Sequence, residues 1–485
     1  MVTNELVYLD YAATAPVLPE VAARMAEVMA MPLGNASSSH AAGRRALELI
    51  ETARAQVAAL VGAQPADIVF TSGATESNNL AITGTRRAAQ ARGGKGHVVT
   101  LATEHKSVLE PVRAAGADAT VLKPDAQGVL DPAVLAAALR PDTCLVSLLQ
   151  VNNETGTAQD LPALLQVCAE QGVPLHIDAA QSAGKLPVDV QGLALLSLSG
   201  HKLAGPQGIG ALYVSPAHRG RIAPQMLGST HERGLRAGTL ATHQIVGFGL
   251  ACEIAARKRA EEAARLTALR ERLWQGLADL PGVLRNGRPG APHILNVSFP
   301  GVEGESLFTG LPGIALSTGS ACNSRSAEPS YVLRALGRDT ETAQSSLRFS
   351  LGHATTPEHI DAAIAAVRTV HGELWNASPA RPASAPAGPG KPWTGEAGSL
   401  QLGTWVRITL QVEDGRASTA DIRFYGCPHT AAACNLLRER LRGQAVAAIA
   451  AGTPQEWLET LQAPIEKLGR MLIIEDALHA LKPVD

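Results

Sequence analysis

The chain has 485 residues, of which 46% are hydrophobic and 18% are charged, a composition typical of a globular protein with two or three domains. Its 42 lysines and arginines nearly balance its 44 aspartates and glutamates, and the net charge of −2 gives no broad positive field that would favour nucleic acid or an anionic membrane surface. The N-terminal segment lacks the basic start of a secretory signal, and no apolar run approaches the roughly 18 residues of a membrane helix, so we expect a cytoplasmic protein that binds neither membrane nor nucleic acid directly.

From about residue 15 to 255, helix-like stretches alternate with short apolar runs. Runs bounded by Gly, Pro, Asn and Asp are typical of buried strands joined by crossover helices, and they predict a large, doubly wound α/β domain. The runs are, in chain order, DIVFTSG, HVVTLATEH, DATVLKP, CLVSLLQVNNE, VPLHIDAAQS, ALLSLSGHK and IGALYVS.

The remaining residues indicate two further units. Residues from about 256 to 375 contain a charged helix, the strands HILNVSF and SSLRFSLG, and a last helix near 357–373; with the N-terminal segment they predict a small α+β domain. Residues 376–392 are rich in Pro, Ala and Gly and are interpreted as a linker. Residues 393–485 show two strands joined by an Asp-Gly turn, followed by helices, and predict an appended α+β domain.

Polar residues that follow the predicted strands suggest one cofactor. The turn after the first run contains Ala74 and Thr75 and opens a helix, which suits a phosphate group as well as an ordinary helix cap. Asp178 follows another strand, where a buried carboxylate needs a cationic or N–H partner, and Lys202 follows a third. A phosphate turn, an acid for a ring nitrogen and a lysine for a Schiff base together predict a site for pyridoxal 5'-phosphate.

Three further residues are candidates for chemistry. His105 and Asn153 follow two other strands, where an imidazole is able to stack on the cofactor ring and move protons and an amide to bond its hydroxyl; each is equally well explained as an ordinary loop residue. Cys322 lies in the polar segment STGSACNSRSAEPS, a setting typical of a reactive thiol.

Residues 1–375 closely resemble the cysteine desulfurases of the NifS/IscS type, in the class V aminotransferase group of pyridoxal phosphate enzymes. The resemblance is carried by motifs along this whole stretch, among them YLDYAAT, FTSGATESNN, TEHKSVL, VNNETG, DAAQSAGKLPVD, SLSGHKLAGPQGIGALYV, ERGLRAGTL, STGSAC and EPSYVLRALG. It implies the type I fold of pyridoxal phosphate transferases and a homodimer.

The resemblance also implies individual roles. Lys202 would form the Schiff base, Asp178 would pair with the pyridinium nitrogen and His105 would be the stacking acid and base. Arg348 would clamp the substrate carboxylate with Asn153 nearby. Asn153 and Gln181 would contact the ring hydroxyl of the cofactor. The implied phosphate contacts are Ala74, Thr75, Ser199 and His201, together with Thr239 from the partner subunit.

In the implied reaction, the Cys322 thiolate takes sulfur from L-cysteine, which leaves a persulfide and releases L-alanine. The sulfur would pass to an acceptor protein for iron–sulfur cluster assembly or thiolation. Two alternatives stay open: a selenocysteine or cystine lyase that does not need Cys322, and an assembly or adaptor protein that works through its C-terminal domain.

Residues 393–485 resemble a diverged NifU/IscU-type iron–sulfur scaffold domain through TWVRITLQVEDG, ADIRFYGCPHTAAAC and LIIEDALHAL. That family uses three cysteines, and only Cys427 matches one of them. No metal site is predicted outright; the candidate metal or cluster ligands are Cys322, Cys427, His429 and Cys434. A structural, docking or sulfur-accepting role of this domain is the other interpretation.

Overall fold

The computed structural model describes residues 6–318, 328–381, 390–449 and 451–484, and the apolar runs of the first half form one seven-stranded sheet in this part of the chain. After a short strand β1 (Val7–Tyr8), its members are β2 (Ile68–Thr71), β3 (His97–Leu101), β4 (Ala119–Leu122), β5 (Thr143–Leu149), β6 (Leu175–Asp178), β7 (Leu195–Ser199) and β8 (Gly210–Val214). They lie in the order β2-β8-β7-β6-β5-β3-β4, and β8 alone runs antiparallel to its neighbours. The predicted doubly wound domain is confirmed.

Helices connect and cover these strands. Asp131 and Asp160 cap two of them through their side chains, and each is followed within two residues by a proline, a combination that starts helices because the carboxylate accepts a free N–H group and proline needs none. The helices are α1 (Pro19–Ala30), α2 (Ala41–Leu60), α3 (Ala74–Asn79), α4 (Thr85–Ala91), α5 (Lys106–Arg113), α6 (Pro132–Ala138) and α7 (Leu161–Glu170), and a π-helical turn, Leu80–Gly84, joins α3 to α4.

One long helix, α8 (Thr242–Gln275), leads from the first domain into the second. It passes through residues 255 and 256, where the sequence places the domain boundary. The second domain contains an antiparallel sheet in the order β12-β13-β10-β9, and β1 pairs in parallel with β11. Its elements are β9 (Leu284–Arg285), β10 (Ile294–Ser298), α9 (Gly304–Thr309), β11 (Ile314–Ala315), β12 (Ser317–Thr318), α10 (Tyr331–Ala335), α11 (Thr340–Gln344), β13 (Ser346–Ser350) and α12 (Pro357–Ala377).

The C-terminal residues form a separate α+β unit with its own apolar core around Trp457. Its sheet has the order β16-β15-β14-β17. Because α12 ends at Ala377 and the first strand begins at Lys391, the segment between regular elements is shorter at both ends than the predicted linker. The elements are β14 (Lys391–Ser399), β15 (Thr404–Glu413), β16 (Arg416–Tyr425), α13 (Pro428–Leu441), α14 (Pro454–Thr460), α15 (Leu468–His479) and β17 (Lys482–Pro483).

No helix among the described residues is both long enough and apolar enough to cross a membrane.

Candidate active site

The carboxyl ends of the parallel strands open into a cavity of about 570 Å³ between the two larger domains. Ligands collect at this edge of an α/β sheet because several strands deliver their loops to the same place. The cavity brings together most of the residues predicted for the site, whose roles remain predictions; Ala74, Thr75, His105, Asn153, Asp178, Gln181, Ser199, His201, Lys202 and Arg348 all line it.

Lys202 lies on a 3₁₀ turn, Gly200–Leu203, that directly follows β7. Its Nζ donates hydrogen bonds to the main-chain oxygens of Ala12 (2.6 Å) and Ala13 (2.5 Å). The N-terminal segment therefore forms one wall of the cavity and holds the amine at the edge where a cofactor carbonyl would meet it.

Asp178 ends strand β6 and is 7% exposed. One carboxylate oxygen accepts a hydrogen bond from the side chain of Asn78 (2.7 Å), and the other accepts one from the main-chain N–H of Ala180 (2.9 Å). These two hydrogen bonds fix the orientation of the carboxylate. Asp178 is thus a fixed hydrogen-bond acceptor in the cavity wall, and its pairing with a ring nitrogen stays a prediction.

Asn78 and Ser107 connect Asp178 to His105, and the sequence reading missed both. The Asn78 amide donates to Asp178 and also to the Ser107 hydroxyl (2.9 Å), which lies 2.8 Å from Nδ1 of His105. The Asn78 Oδ1 is buried and has no hydrogen-bond partner among the described residues. The motif TESNN contained a signal for Asn78, since this residue lies about one helical turn after Gly73, the N-cap residue of helix α3.

His105 caps helix α5, and its Nδ1 accepts the main-chain N–H of Ser107 (3.1 Å). Burial lowers the pKa of His105, with smaller contributions in the same direction from Lys202 and Lys106, while Asp178 opposes the shift. A neutral imidazole whose Nδ1 accepts a hydrogen bond carries its proton on Nε2. We infer this tautomer from the hydrogen bond.

Arg348 is on β13, and its side chain is 6% exposed. Its guanidinium donates to Asp10 (Nη2 to Oδ1, 2.7 Å) and to the main-chain oxygen of Asn153 (3.0 Å), whereas its buried Nε has no partner among the described residues. Two neighbouring groups therefore hold the planar fork in place, which is the arrangement that favours binding of a carboxylate.

The cavity also contains side chains that are able to donate hydrogen bonds to a phosphate, those of Thr75, Ser199 and His201. Gly73 adopts φ +151° directly before helix α3, a conformation open almost only to glycine, and Gly210 packs so closely that a Cβ there would lie 2.6 Å from the Cα of Gly73. Burial and the cations Lys202 and Lys185 lower the pKa of His201 to about 4, so this side chain offers a neutral N–H. The donor set fits the phosphate group of pyridoxal phosphate.

Two buried carboxyl groups beside the site were not singled out in the sequence. Burial holds the pKa of Glu104 well above its usual range and raises that of Glu154 to about 7. Glu154 accepts a hydrogen bond from the Ser330 hydroxyl. Both adjoin predicted site residues, His105 and Asn153.

Two predicted residues are not in the cavity as described. Thr239 is exposed and does not line it, so a contact from Thr239 needs a second subunit. Cys322 lies in 319–327, outside the described residues.

The candidate metal ligands of the C-terminal domain do not converge in the described structure. Cys427 caps α13, is fully buried and has its Sγ 3.6 Å from the hydroxyl of Thr430. Cys434 packs in the apolar core, where burial raises its pKa to about 12. The described parts of the chain contain no group of three His, Cys, Asp or Glu residues that is able to hold a metal ion.

Known proteins are similar to this chain over its first three quarters. The chain is 52% identical over 383 residues to the cysteine desulfurase IscS of Escherichia coli, an alignment that covers 77% of this chain and 94% of the relative. A solved NifS-like protein from Rickettsia africae superposes with a TM-score of 0.69 at 31% identity, over 76% of this chain and 100% of its own. The solved structure of SspA in complex with cysteine superposes with a TM-score of 0.64 at 38% identity, and the alignment covers 71% of this chain and 98% of SspA.

The match to a protein family covers a similar share of the chain. Residues 7–363 match the family described as aminotransferase class-V, a range that contains every residue that lines the cavity. The chain therefore belongs to the class-V aminotransferase family.

Proposed function

We propose that the protein is a pyridoxal phosphate-dependent cysteine desulfurase, which converts L-cysteine to L-alanine and transfers the sulfur to its own Cys322. The observation that carries the proposal is the single cavity that holds Lys202, Asp178, His105 and Arg348 together. The identity to IscS supports the same reaction.

Each residue has a separate task in this reaction. When bound, pyridoxal phosphate supplies an electron sink that stabilises negative charge on the substrate. Lys202 contributes the amine that holds the cofactor, and Asp178 fixes its ring nitrogen. Arg348 orients the substrate carboxylate, and His105, with its proton on Nε2, is placed to move protons at the reacting atoms.

The sulfur transfer balances without an added oxidant. The Cys322 thiolate attacks the substrate sulfur, the bond between that sulfur and the substrate carbon breaks, and the carbon gains a proton. The products are L-alanine and a persulfide on Cys322; two molecules of an added thiol then reduce the persulfide, which releases sulfide, restores the Cys322 thiol and leaves one disulfide of the added thiol.

The test is release of L-alanine and sulfide from L-cysteine by full-length protein loaded with pyridoxal phosphate, with a thiol present. We expect both products from the wild type and neither from Lys202→Ala. Cys322→Ala should bind the cofactor and release no alanine. Alanine release that survives Cys322→Ala would contradict the persulfide step and favour a lyase.

We further propose that the enzyme is a cytoplasmic homodimer in which Thr239 completes the phosphate site of the partner subunit. The exposure of Thr239 supports this. Analytical ultracentrifugation should show a dimer, and Thr239→Ala should raise the dissociation constant of pyridoxal phosphate. A monomer with full cofactor affinity would contradict the proposal.

For the C-terminal domain, we propose a NifU/IscU-like docking role in sulfur delivery to an iron–sulfur or thiolation acceptor. Cys427 is fully buried, which favours docking over sulfur acceptance by this thiol because a persulfide donor must reach it. Cys427→Ser should therefore leave transfer to an acceptor unchanged. A persulfide found on Cys427 by mass spectrometry would instead establish sulfur acceptance.

A further inference from the structure

Lys185 lies behind the turn that carries Lys202. Its Nζ donates a hydrogen bond to the main-chain oxygen of Lys202 (2.8 Å). Lys185 lines a second cavity, of about 330 Å³, and Lys202 borders both this cavity and the active-site cavity. The contact therefore joins the two sides of the turn.

Hydrogen bonds from outside the turn hold the carbonyl groups around Lys202. The carbonyl of Lys202 itself accepts a hydrogen bond from the side chain of Lys185. The carbonyls of its neighbours accept hydrogen bonds from main-chain N–H groups. These neighbouring bonds are Gly205 to Gly200 (3.1 Å), Ala15 to His201 (3.0 Å) and Leu18 to Ala204 (3.0 Å).

The turn needs such support because a strained residue directly follows it. Ala204 has a φ of +56°, a left-handed conformation that costs a non-glycine residue about 1 kcal/mol or more. The residue before Lys185, Gly184, packs directly against the turn: a Cβ on it would lie 2.4 Å from Cδ2 of Leu203. Lys185 thus reaches the Lys202 carbonyl from a segment in direct contact with the turn.

An amine at the buried position of Lys185 is unusual for a purely structural contact. Among the described residues, Lys185 has no carboxylate within ion-pair distance, and burial together with nearby Lys202 lowers its pKa to about 7. An ammonium group without a counter-ion is costly to bury. An apolar side chain would fill this space at a lower desolvation free energy. The hydrogen bond to Lys202 is therefore the feature that accounts for a lysine here.

We propose that Lys185 is a positioning residue of the desulfurase site: its amino group donates a hydrogen bond to the carbonyl of Lys202 and thereby fixes the direction in which Lys202 presents its amine. The inference rests on the proposed function and adds a residue that does not itself line the active-site cavity.

The test compares Lys185→Met, which keeps the chain length but removes the donor, with Lys185→Arg, which keeps a donor. Lys258→Met is the matched control because Lys258 lines the same second cavity and is exposed. For each holoenzyme, the visible circular dichroism of the resting cofactor band is measured per bound cofactor, and kcat and KM are measured for L-cysteine.

We expect Lys185→Met to change the amplitude of the cofactor band at least about twofold and to lower kcat about tenfold or more, since a small misplacement of a reacting group has an effect of this size. KM should change by less than about threefold, because the Arg348 carboxylate site is untouched. Lys185→Arg should recover much of both signals, and Lys258→Met should match the wild type.

An unchanged band and unchanged kcat in Lys185→Met would overturn the proposal. If Lys185→Met and Lys185→Arg lose equal amounts of cofactor-band amplitude and kcat, and both have a lowered melting temperature, the proposal is overturned in favour of a structural role. If Lys185→Met does not fold, Lys185→Leu, which also lacks a donor, takes its place with the same criteria. A wild type that binds the cofactor without releasing alanine refutes the proposed function and leaves the spectral test of Lys185 in force.

Discussion

If Arg348 binds the substrate carboxylate as proposed, neighbouring groups already hold its guanidinium in place without the substrate. Its guanidinium lies in the cavity wall, held by Asp10 and by the main chain of Asn153. The charge and the fork geometry are separate contributions to carboxylate binding, and a lysine at this position retains only the charge.

We therefore predict that Arg348→Lys raises the KM for L-cysteine about tenfold or more, because a lost charge-assisted hydrogen bond costs about 1.5–3 kcal/mol. The decrease in kcat should be smaller. Steady-state kinetics of alanine release measure both values. Arg368→Lys, which alters an exposed ion pair with Asp279, is the control, and an unchanged KM in Arg348→Lys would exclude Arg348 as the carboxylate clamp.

A second residue-scale prediction concerns His176, which lies fully buried in the centre of the large sheet. Its ring nitrogens contact the hydroxyls of Ser147 (2.8 Å) and Ser197 (2.9 Å) on the neighbouring strands. Burial, with a smaller contribution from His218, lowers the pKa of His176 to about 3. The unfolded chain therefore binds more protons than the fold between pH 6.5 and 3, and this group reduces stability as the pH falls through that window.

The expected slope is at most about 1.4 kcal/mol per pH unit. His176→Gln should be less stable at pH 7, because the two hydroxyls lose their partner, but its stability should fall less steeply below pH 6.5. Urea unfolding at several pH values measures this, with exposed His479→Gln as control. Parallel acid profiles for wild type and His176→Gln would show that another group controls the acid sensitivity.

At the scale of elements, the strands were predictable because each run is largely apolar and bounded by turn residues. The glycine turn before α3 was recognised for the same kind of local reason. By contrast, the length of α8 was missed. Its first half, from Ile245 to Ile254, is mostly buried, whereas the following residues are charged, so the change in composition looked like a domain boundary inside one continuous helix.

The turn before α3 yields an element-scale prediction. Gly73→Ala places a Cβ in open space but forces φ +151°, at a cost of about 1–3 kcal/mol. If the turn binds phosphate, the dissociation constant of pyridoxal phosphate should rise about tenfold, as measured by reconstitution of the apoenzyme. Gly93→Ala is the matched control, because Gly93 also has positive φ (+85°) with no heavy atom within 4 Å of the new Cβ. Equal affinity in both variants would place the phosphate elsewhere.

At the scale of the whole molecule, the C-terminal domain contacts the small domain and the segment after α12 through hydrogen bonds to main-chain oxygens. The Ser306 hydroxyl on α9 donates to Gly426, next to Cys427 (2.9 Å). Arg423 on β16 donates to the carbonyls of Ser378 and Arg381 just after α12. The sequence indicated a separate domain but not this docking, since none of these residues forms a recognisable motif.

Because every cavity residue lies before residue 349, loosening the C-terminal domain should not affect the chemistry. Arg423→Ala should increase hydrogen exchange in Gly426–Thr430 while alanine release stays within about twofold of the wild type. Arg407→Ala, which removes an exposed ion pair to Glu396 within the same domain, is the control. A large loss of alanine release in Arg423→Ala alone would show that the docked domain supports the active site.

The local sequence pattern is sufficient to identify the strands, the glycine turn and the residues that end each strand. These features depend only on residues close in sequence and on the spacing of apolar side chains along the chain. The motifs also carry the family and the cofactor. Tertiary structure decides the rest: the link from Asp178 through Asn78 and Ser107 to His105, the pairing of Arg348 with Asp10 and the hold of Lys185 on Lys202. These contacts join segments that are distant in the chain, and they arise only when the sheet brings its strand ends to one edge.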